Sequence, residues 1–301
     1  LHAFSDEPRF AVTVLTRETS VSLNGLSSHS HNHDHEHQHG DSQITHIQTK
    51  FSESELEFHL SNTDAVVCCL TGSDIHFTGA VVDAASKVGI KLFIPSEYGL
   101  DTSNAKVREL LPPYQTRFDI QQKLKQGGMN WKAIYSGVVL EDGLKTDGVL
   151  GIDALWASVV VFPHDPETKI ALSTQRDIAN SVVKVAGGGE TYEGNEIYTC
   201  GFRASLETIV SVVENGIDRS LDRYEGLYEG AKKEAAERMK LGYFDGGVAL
   251  LGRVAVWNDD VDAWGRWKEI VSERQDALET EVKKAARMVR DGNIGGDGCG
   301  C

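Results

Sequence analysis

The first half of the chain switches between two hydrophobic patterns. Phe10 to Leu15, Ile44 to Gln48, Ala65 to Leu70, "KLFIP" at 91–95 and "WKAIYSGVVL" at 131–140 are short apolar runs of strand length. Between them lie segments with helical spacing. "SESELEFHL" at 52–60 opens on serines and acids, Ile75 to Val88 stops at Gly89, and Tyr114 to Gln126 ends in Gly127-Gly128. Strands apolar on both faces, alternating with helices, predict a parallel sheet covered by helices on both sides. After about residue 150 the pattern changes. "KIALST" at 169–174 and "EIYTC" at 196–200 read as isolated strands, and the rest as helical, with long amphipathic stretches at 223–240 and 261–290. The expected fold is α/β: a doubly wound parallel sheet over residues 1–150, with a smaller, mainly helical domain over 151–301.

One stretch follows neither pattern. "SSHSHNHDHEHQHGDS" at 27–42 is polar, repetitive and without apolar period, so it is expected to be a disordered surface loop. His29, His31, His33, His35, His37 and His39 alternate along it. Neutral imidazoles bind divalent transition metals, so weak, exchangeable metal uptake is expected there. His35-Glu36-x-x-His39 has the form of a zinc-protease motif but neither its ordered helix nor a third ligand, so no metal site is expected.

Composition narrows the partners. The formal net charge of −15 disfavours nucleic acid and anionic membranes. No apolar run approaches the roughly 18–20 residues of a membrane span, and no secretory leader is visible. The five cysteines, Cys68, Cys69, Cys200, Cys299 and Cys301, fit no disulfide spacing, which points to a reducing compartment, most simply the cytosol.

Candidate chemistry begins at "TVLTR". In a doubly wound nucleotide-binding domain, an arginine just past the strand that faces the adenosine ribose accommodates a 2′-phosphate and selects NADP; Arg17, with Thr16 beside it, sits at such a place. "TVLTR", "DAVV" and above all "FIPSEYG" resemble the NmrA-like and isoflavone reductase-like family, an atypical branch of the short-chain dehydrogenases, over roughly residues 7–200, and fungal members in particular. The resemblance implies an NADP-dependent reductase acting on a small organic substrate held against the second domain. It implies that Thr71 and Gly72 lie along the cofactor, and that Pro95, Ser96 and Glu97 lie near the nicotinamide, with Tyr98 beside them as a catalytic candidate. "SGVVLEDG" at 136–143 is expected to wall the substrate.

The family's catalytic lysine falls on Arg117 when Ile120 and Leu124 are kept in register. Arginine preserves the charge but does not give up a proton near neutral pH. The resemblance therefore leaves two readings open: a reductase, or a non-catalytic NADP-binding sensor or regulator. It also implies a strand and a Gly-x-x-Gly-x-x-Gly turn ahead of the first strand seen; "LHAFSDEP" resembles the tail of the helix that follows that turn, so the expectation is a chain lacking both. Two decoys share family spacings. Gly292, Gly295 and Gly298 follow a helix rather than a strand, and Tyr228-x-x-x-Lys232 lies on a charged helix away from the expected strand ends.

Overall fold

Val12–Thr16 (β1) and Ile44–Gln48 (β2) pair in parallel, Val12 opposite Ile44. Ala65–Val67 (β3) and Leu92–Ile94 (β4) form a second parallel pair. A parallel bridge from Phe93 to Trp131 carries β4 on to Ala133–Tyr135 (β5). β5 pairs in parallel with Glu196–Tyr198 (β10). This computed structural model describes residues 1–17, 44–188, 192–272 and 274–292. The alternating histidines, Gly295, Gly298, Cys299 and Cys301 lie outside the described residues.

Helices cover both faces, as the continuous apolar runs require. Phe93, Ala133 and Tyr135 point into one core with Val81 and Val82 of Thr78–Val88 (α3) and Leu124 of Pro112–Gln126 (α5). Their neighbours Ile94 and Ile134 point the opposite way. They meet Val182 and Val185 of Gln175–Ala186 (α7), and Phe4 of His2–Ser5 (α1) packs there too. The two-residue period of a strand thus feeds two cores, each buried isoleucine contributing about 1.5–3 kcal/mol. Glu53–Leu60 (α2) lies against α3. α3 ends where Gly89 takes φ +77°, returning its N–H to Ala85 and Ser86. A capping box between Thr174 and Asp177 starts α7.

Among the described residues no ladder joins β1 to β3. The β1–β2 pair is tied to the rest by side chains. Arg17 forms an ion pair with Asp74, and Phe51 meets Phe77 at 5.6 Å.

The second half returns to the sheet more than its pattern suggested: α7 and β10 lie beyond residue 150 yet complete the parallel layer, so 151–301 is shared between two layers. Val138–Val139 (β6) precedes the short helix Leu140–Gly143 (α6) and pairs in parallel with Ile170–Ser173 (β9). β9 is also antiparallel to Phe202–Ala204 (β11). Ile152–Asp153 (β7) is antiparallel to Ser158–Val161 (β8), which pairs in parallel with Asp222–Glu225 (β12). The helices are Ala105–Leu110 (α4), Leu206–Ile217 (α8), Tyr228–Lys240 (α9), Phe244–Trp257 (α10) and Leu278–Arg290 (α11). Two expected helices are corrected. Residues 222–225 are strand, because β8 supplies a partner and Gly226 sits where a Cβ would press Phe162 at 2.8 Å. The described residues of 261–277 are short 3-10 stretches, turns and irregular backbone around Trp264 and Trp267, whose indoles donate to the carbonyls of Val256 and Thr199.

Candidate functional site

Parallel pairing sends the carboxyl ends of β3, β4 and β5 to one edge, where an open α/β sheet binds its ligand. Two corners form there.

The first corner lies past β1 and β3. Thr71 and Gly72, the latter at φ +53°, open a 3-10 turn running Gly72–Phe77. That turn meets Arg17. The guanidinium pairs with Asp74 and stands 5.0 Å over the Phe77 ring, while Gln48 donates to the Arg17 carbonyl at 3.0 Å. Thr16 is turned to β2, its hydroxyl 2.7 Å from His46 Nε2. The structure therefore sets Arg17 against the turn that Thr71 and Gly72 open, with Thr16 alongside. The Arg17–Asp74 pair is exposed, and such pairs are worth about 0.2–1 kcal/mol. A dianionic phosphate is the stronger partner for a guanidinium, so Asp74 is a weak competitor for it.

The second corner is the loop Pro95, Ser96, Glu97, Tyr98 and Gly99 after β4. Pro95 is buried, Ser96 is 5% exposed and Glu97 2%. α5 lies over the loop and holds it by one face. Tyr114, Arg117 and Gln121 are spaced three and four residues apart, so they project together. Arg117 Nη1 donates to the Glu97 carbonyl at 3.1 Å, and its guanidinium lies 4.8 Å from the Tyr114 ring centre. The Tyr114 hydroxyl accepts from the Leu100 N–H at 3.2 Å. Gly99 is required there: a Cβ would come within 2.7 Å of the Tyr114 oxygen. Beneath the loop the Gln121 amide reaches Glu97 Oε1 at 2.7 Å, Thr102 Oγ1 at 2.6 Å and the Tyr135 hydroxyl at 2.8 Å.

Electrostatics single out Glu97. Burial drives its carboxyl up to about 7, against the pull of the Arg117 cation and the bonds from Gln121 and Thr102, while Asp101 adds to the rise. Burial likewise raises the phenols of Tyr98 and Tyr135. Tyr98 is backbone-strained at φ +32° and turns to the opposite core beside Ile94. Its hydroxyl donates to the Cys68 carbonyl at 3.2 Å, so the structure sets its phenol on that bond and not on Arg117.

The corner holds polar atoms that the protein itself does not use. Ser96 Oγ, Glu97 Oε2, Arg117 Nε and Ser136 Oγ are buried with no hydrogen-bond partner. Each such group costs about 1–3 kcal/mol. Together they present donors and one acceptor, the complement of an amide or carbonyl group in a ligand. This set fits the nicotinamide end of a dinucleotide and an oxygen-bearing substrate, and Arg17 fits the phosphate end.

Gln121 and Tyr114, which no motif named, complete the corner with Ser136, the first residue of "SGVVLEDG". Their signal was the helical spacing from Arg117, and for Ser136 the strand end. Of the two decoys, only Tyr228 and Lys232 lie wholly among the described residues. Tyr228 donates to the carbonyl of Trp257 at 2.8 Å and Lys232 pairs with Glu229, both structural contacts in the second layer. Gly292 is a turn after α11. Among the described residues no His, Cys, Asp and Glu cluster is placed to hold a metal, and no helix is long and apolar enough to cross a membrane.

The profile of the NmrA-like family matches residues 1–250. Oxidoreductase aprR of Aspergillus flavus is 31% identical over 143 residues, 46% of this chain. The match spans 43% of that relative, less than half its length. Leucoanthocyanidin reductase from Vitis vinifera, solved as a binary complex with NADPH, superposes with a TM-score of 0.62 at 16% identity, covering 82% of this chain and 83% of that one. AtPrR2, solved with NADP+ and (+)pinoresinol, gives 0.63 at 14% identity, covering 83% and 82%. The NADPH-dependent quinone oxidoreductase QOR2 of Escherichia coli gives 0.55 at 16%, covering 83% and 84%. At these identities the likeness establishes the fold, a doubly wound Rossmann-type sheet.

Proposed function

The chain belongs to the NmrA-like family, and from that premise we propose that it is an NADPH-dependent reductase of the isoflavone reductase-like type acting on a small organic molecule. One observation carries the reading: buried polar atoms without a partner lie on the segments that follow β4 and β5, at Ser96, Glu97 and Ser136, and on α5 above them, at Arg117. NADPH, when bound, supplies a hydride. Arg17 would hold its 2′-phosphate, with Thr16 beside it. Thr71 and Gly72 would lie along its length, and Pro95, Ser96 and Glu97 against its nicotinamide. Residues 136–143 would wall the substrate, held against the domain of residues 151–301.

In this reading Arg117 does the electrostatic part of the chemistry. Its fixed charge stabilises the oxyanion that grows as a carbonyl or conjugated double bond is reduced. The guanidinium keeps its protons. The proton has a nearer source in Glu97, whose carboxyl is half-protonated near pH 7 and whose Oε2 bonds to nothing in the protein. Tyr98 contributes through its left-handed backbone, which sets the loop's turn after Glu97. A cytoplasmic location belongs to the same proposal, supported by Cys68, Cys69 and Cys200 being thiols.

Arg117 also favours a second reading, an NADP-binding sensor without turnover, because the residue at the proton-donor position of the family cannot donate. Calorimetry with NADPH, followed by NADPH consumption with a panel of quinones and enones, separates the two. Binding with turnover supports the reductase, binding without turnover supports the sensor, and no binding removes both.

A further inference from the structure

β12 is the outer strand of the sheet β7–β8–β12, and all of its residues are exposed. Its inner edge is bonded to β8: the Asp222 N–H donates to Ala157 at 2.9 Å and the Gly226 N–H to Val161 at 2.8 Å. Successive peptide groups along a strand point to alternate edges, so the N–H and C=O of Arg223 and Glu225 face outward. Among the described residues nothing pairs with them. Apolar side chains stand around this open edge. Trp156 is 68% exposed, Tyr224 58% and Leu227 71%. Charges on an edge strand ordinarily block pairing. Here their order does the opposite.

We propose that this edge pairs antiparallel with the same edge of a second copy, on a twofold axis through Tyr224. In that register Arg223 of each copy lies opposite Glu225 of the other, and the outward N–H and C=O groups of these residues bond reciprocally. Tyr224 meets Tyr224 at a non-hydrogen-bonded position, where side chains approach most closely. Asp222 lies opposite Gly226, so no like charges are opposed. The neighbouring registers fail. A slip of one residue sets an outward-facing residue against an inward-facing one and loses the bonds. The adjacent registers that keep the bonds centre on Arg223 or on Glu225, and place arginine on arginine or carboxylate on carboxylate. The Arg223 side chain is already extended across the face, held by Glu207 at 2.8 and 2.7 Å, and a guanidinium has donors left for a second carboxylate. The interface is self-complementary, as a twofold dimer demands.

Sedimentation equilibrium on the full chain tests it, with circular dichroism confirming that each variant is folded. The wild-type chain should be a dimer. Arg223→Glu and Glu225→Arg each set like charges opposite one another twice, and each should raise the dimer dissociation constant by about 100-fold or more. Glu225 makes no side-chain bond within the described chain, so its variant keeps the test alive if loss of the Glu207 contact unfolds the other. Mixing the two variants should restore association as a heterodimer, because both cross-strand pairs are then complementary. A monomeric wild-type chain, a dimer that Glu225→Arg leaves intact, or folded variants that fail to associate on mixing would overturn the proposal.

Discussion

The two corners of the strand-end edge hold their cations in opposite ways. At the first, Arg17 is half-exposed and already paired with Asp74. At the second, Arg117 projects from α5 onto the loop, with one nitrogen on a backbone carbonyl and another buried without a partner, like the unpartnered Ser96 and Ser136 hydroxyls and Glu97 Oε2. A ligand at the first corner must exchange a weak surface ion pair. A ligand at the second corner meets groups fixed by packing, whose desolvation has already been met in folding. In the proposed reading, interaction energy is therefore concentrated at the second corner, while the first would set which cofactor is chosen.

The sharpest way to break this contrast is at Arg117. Arg117→Met removes the charge and keeps the bulk; it should lower kcat by about 10²–10³. Arg117→Lys should retain most activity or exceed it, since an ammonium also donates a proton. Steady-state NADPH consumption reads both. Equal activity in all three proteins would show that the second corner is not where reduction occurs.

Glu97 gives the next effect, through pH. Its folded pKa is about 7, above the unfolded value, so between about pH 4.5 and 7 the folded state binds more protons than the unfolded one. That stabilising contribution is complete below the unfolded pKa and is lost as pH rises through the folded one. The loss is on the order of 3 kcal/mol for a shift of this size. Urea unfolding across this range should show wild-type stability falling relative to Glu97→Gln, whose profile lacks this component. Parallel profiles would mean that Glu97 does not titrate as its burial demands.

Much of this was legible in the chain, and the rest has physical reasons for being hidden. "FIPSEYG" and "TVLTR" marked the strand ends, and the register through Ile120 and Leu124 singled out Arg117, which the structure sets against the Glu97 carbonyl. Gln121 was invisible because a glutamine on a helix reads as surface, whereas here it is 3% exposed beneath Glu97. Only the tertiary position of Thr102 and Tyr135 makes that burial tolerable. β12 was hidden for another reason. "DRYE" runs into a strongly helical segment, and what makes it a strand is the remote β8. The return of α7 and β10 to the sheet is likewise a matter of long-range pairing that local pattern does not encode.

The first corner yields the smaller effects. Arg17→Ala should remove about 1–3 kcal/mol of preference for NADPH over NADH, read by titrating both cofactors. Asp74→Asn removes one competitor for Arg17 and should tighten NADPH severalfold, within the about 0.2–1 kcal/mol of an exposed pair, while leaving NADH unchanged. If the Asp74 change affects both cofactors alike, that carboxylate is not acting through the phosphate.

The most direct test of the central claim is transfer of label. NADPH carrying deuterium at the nicotinamide C4 is incubated with the chain and a panel of quinones and enones, and the products are read by mass spectrometry. A reduced product is expected that has gained one deuterium from the cofactor, and that label is lost with Arg117→Met. Tight NADPH binding with no deuterium in any product would contradict it and leave the two corners as the parts of a sensor.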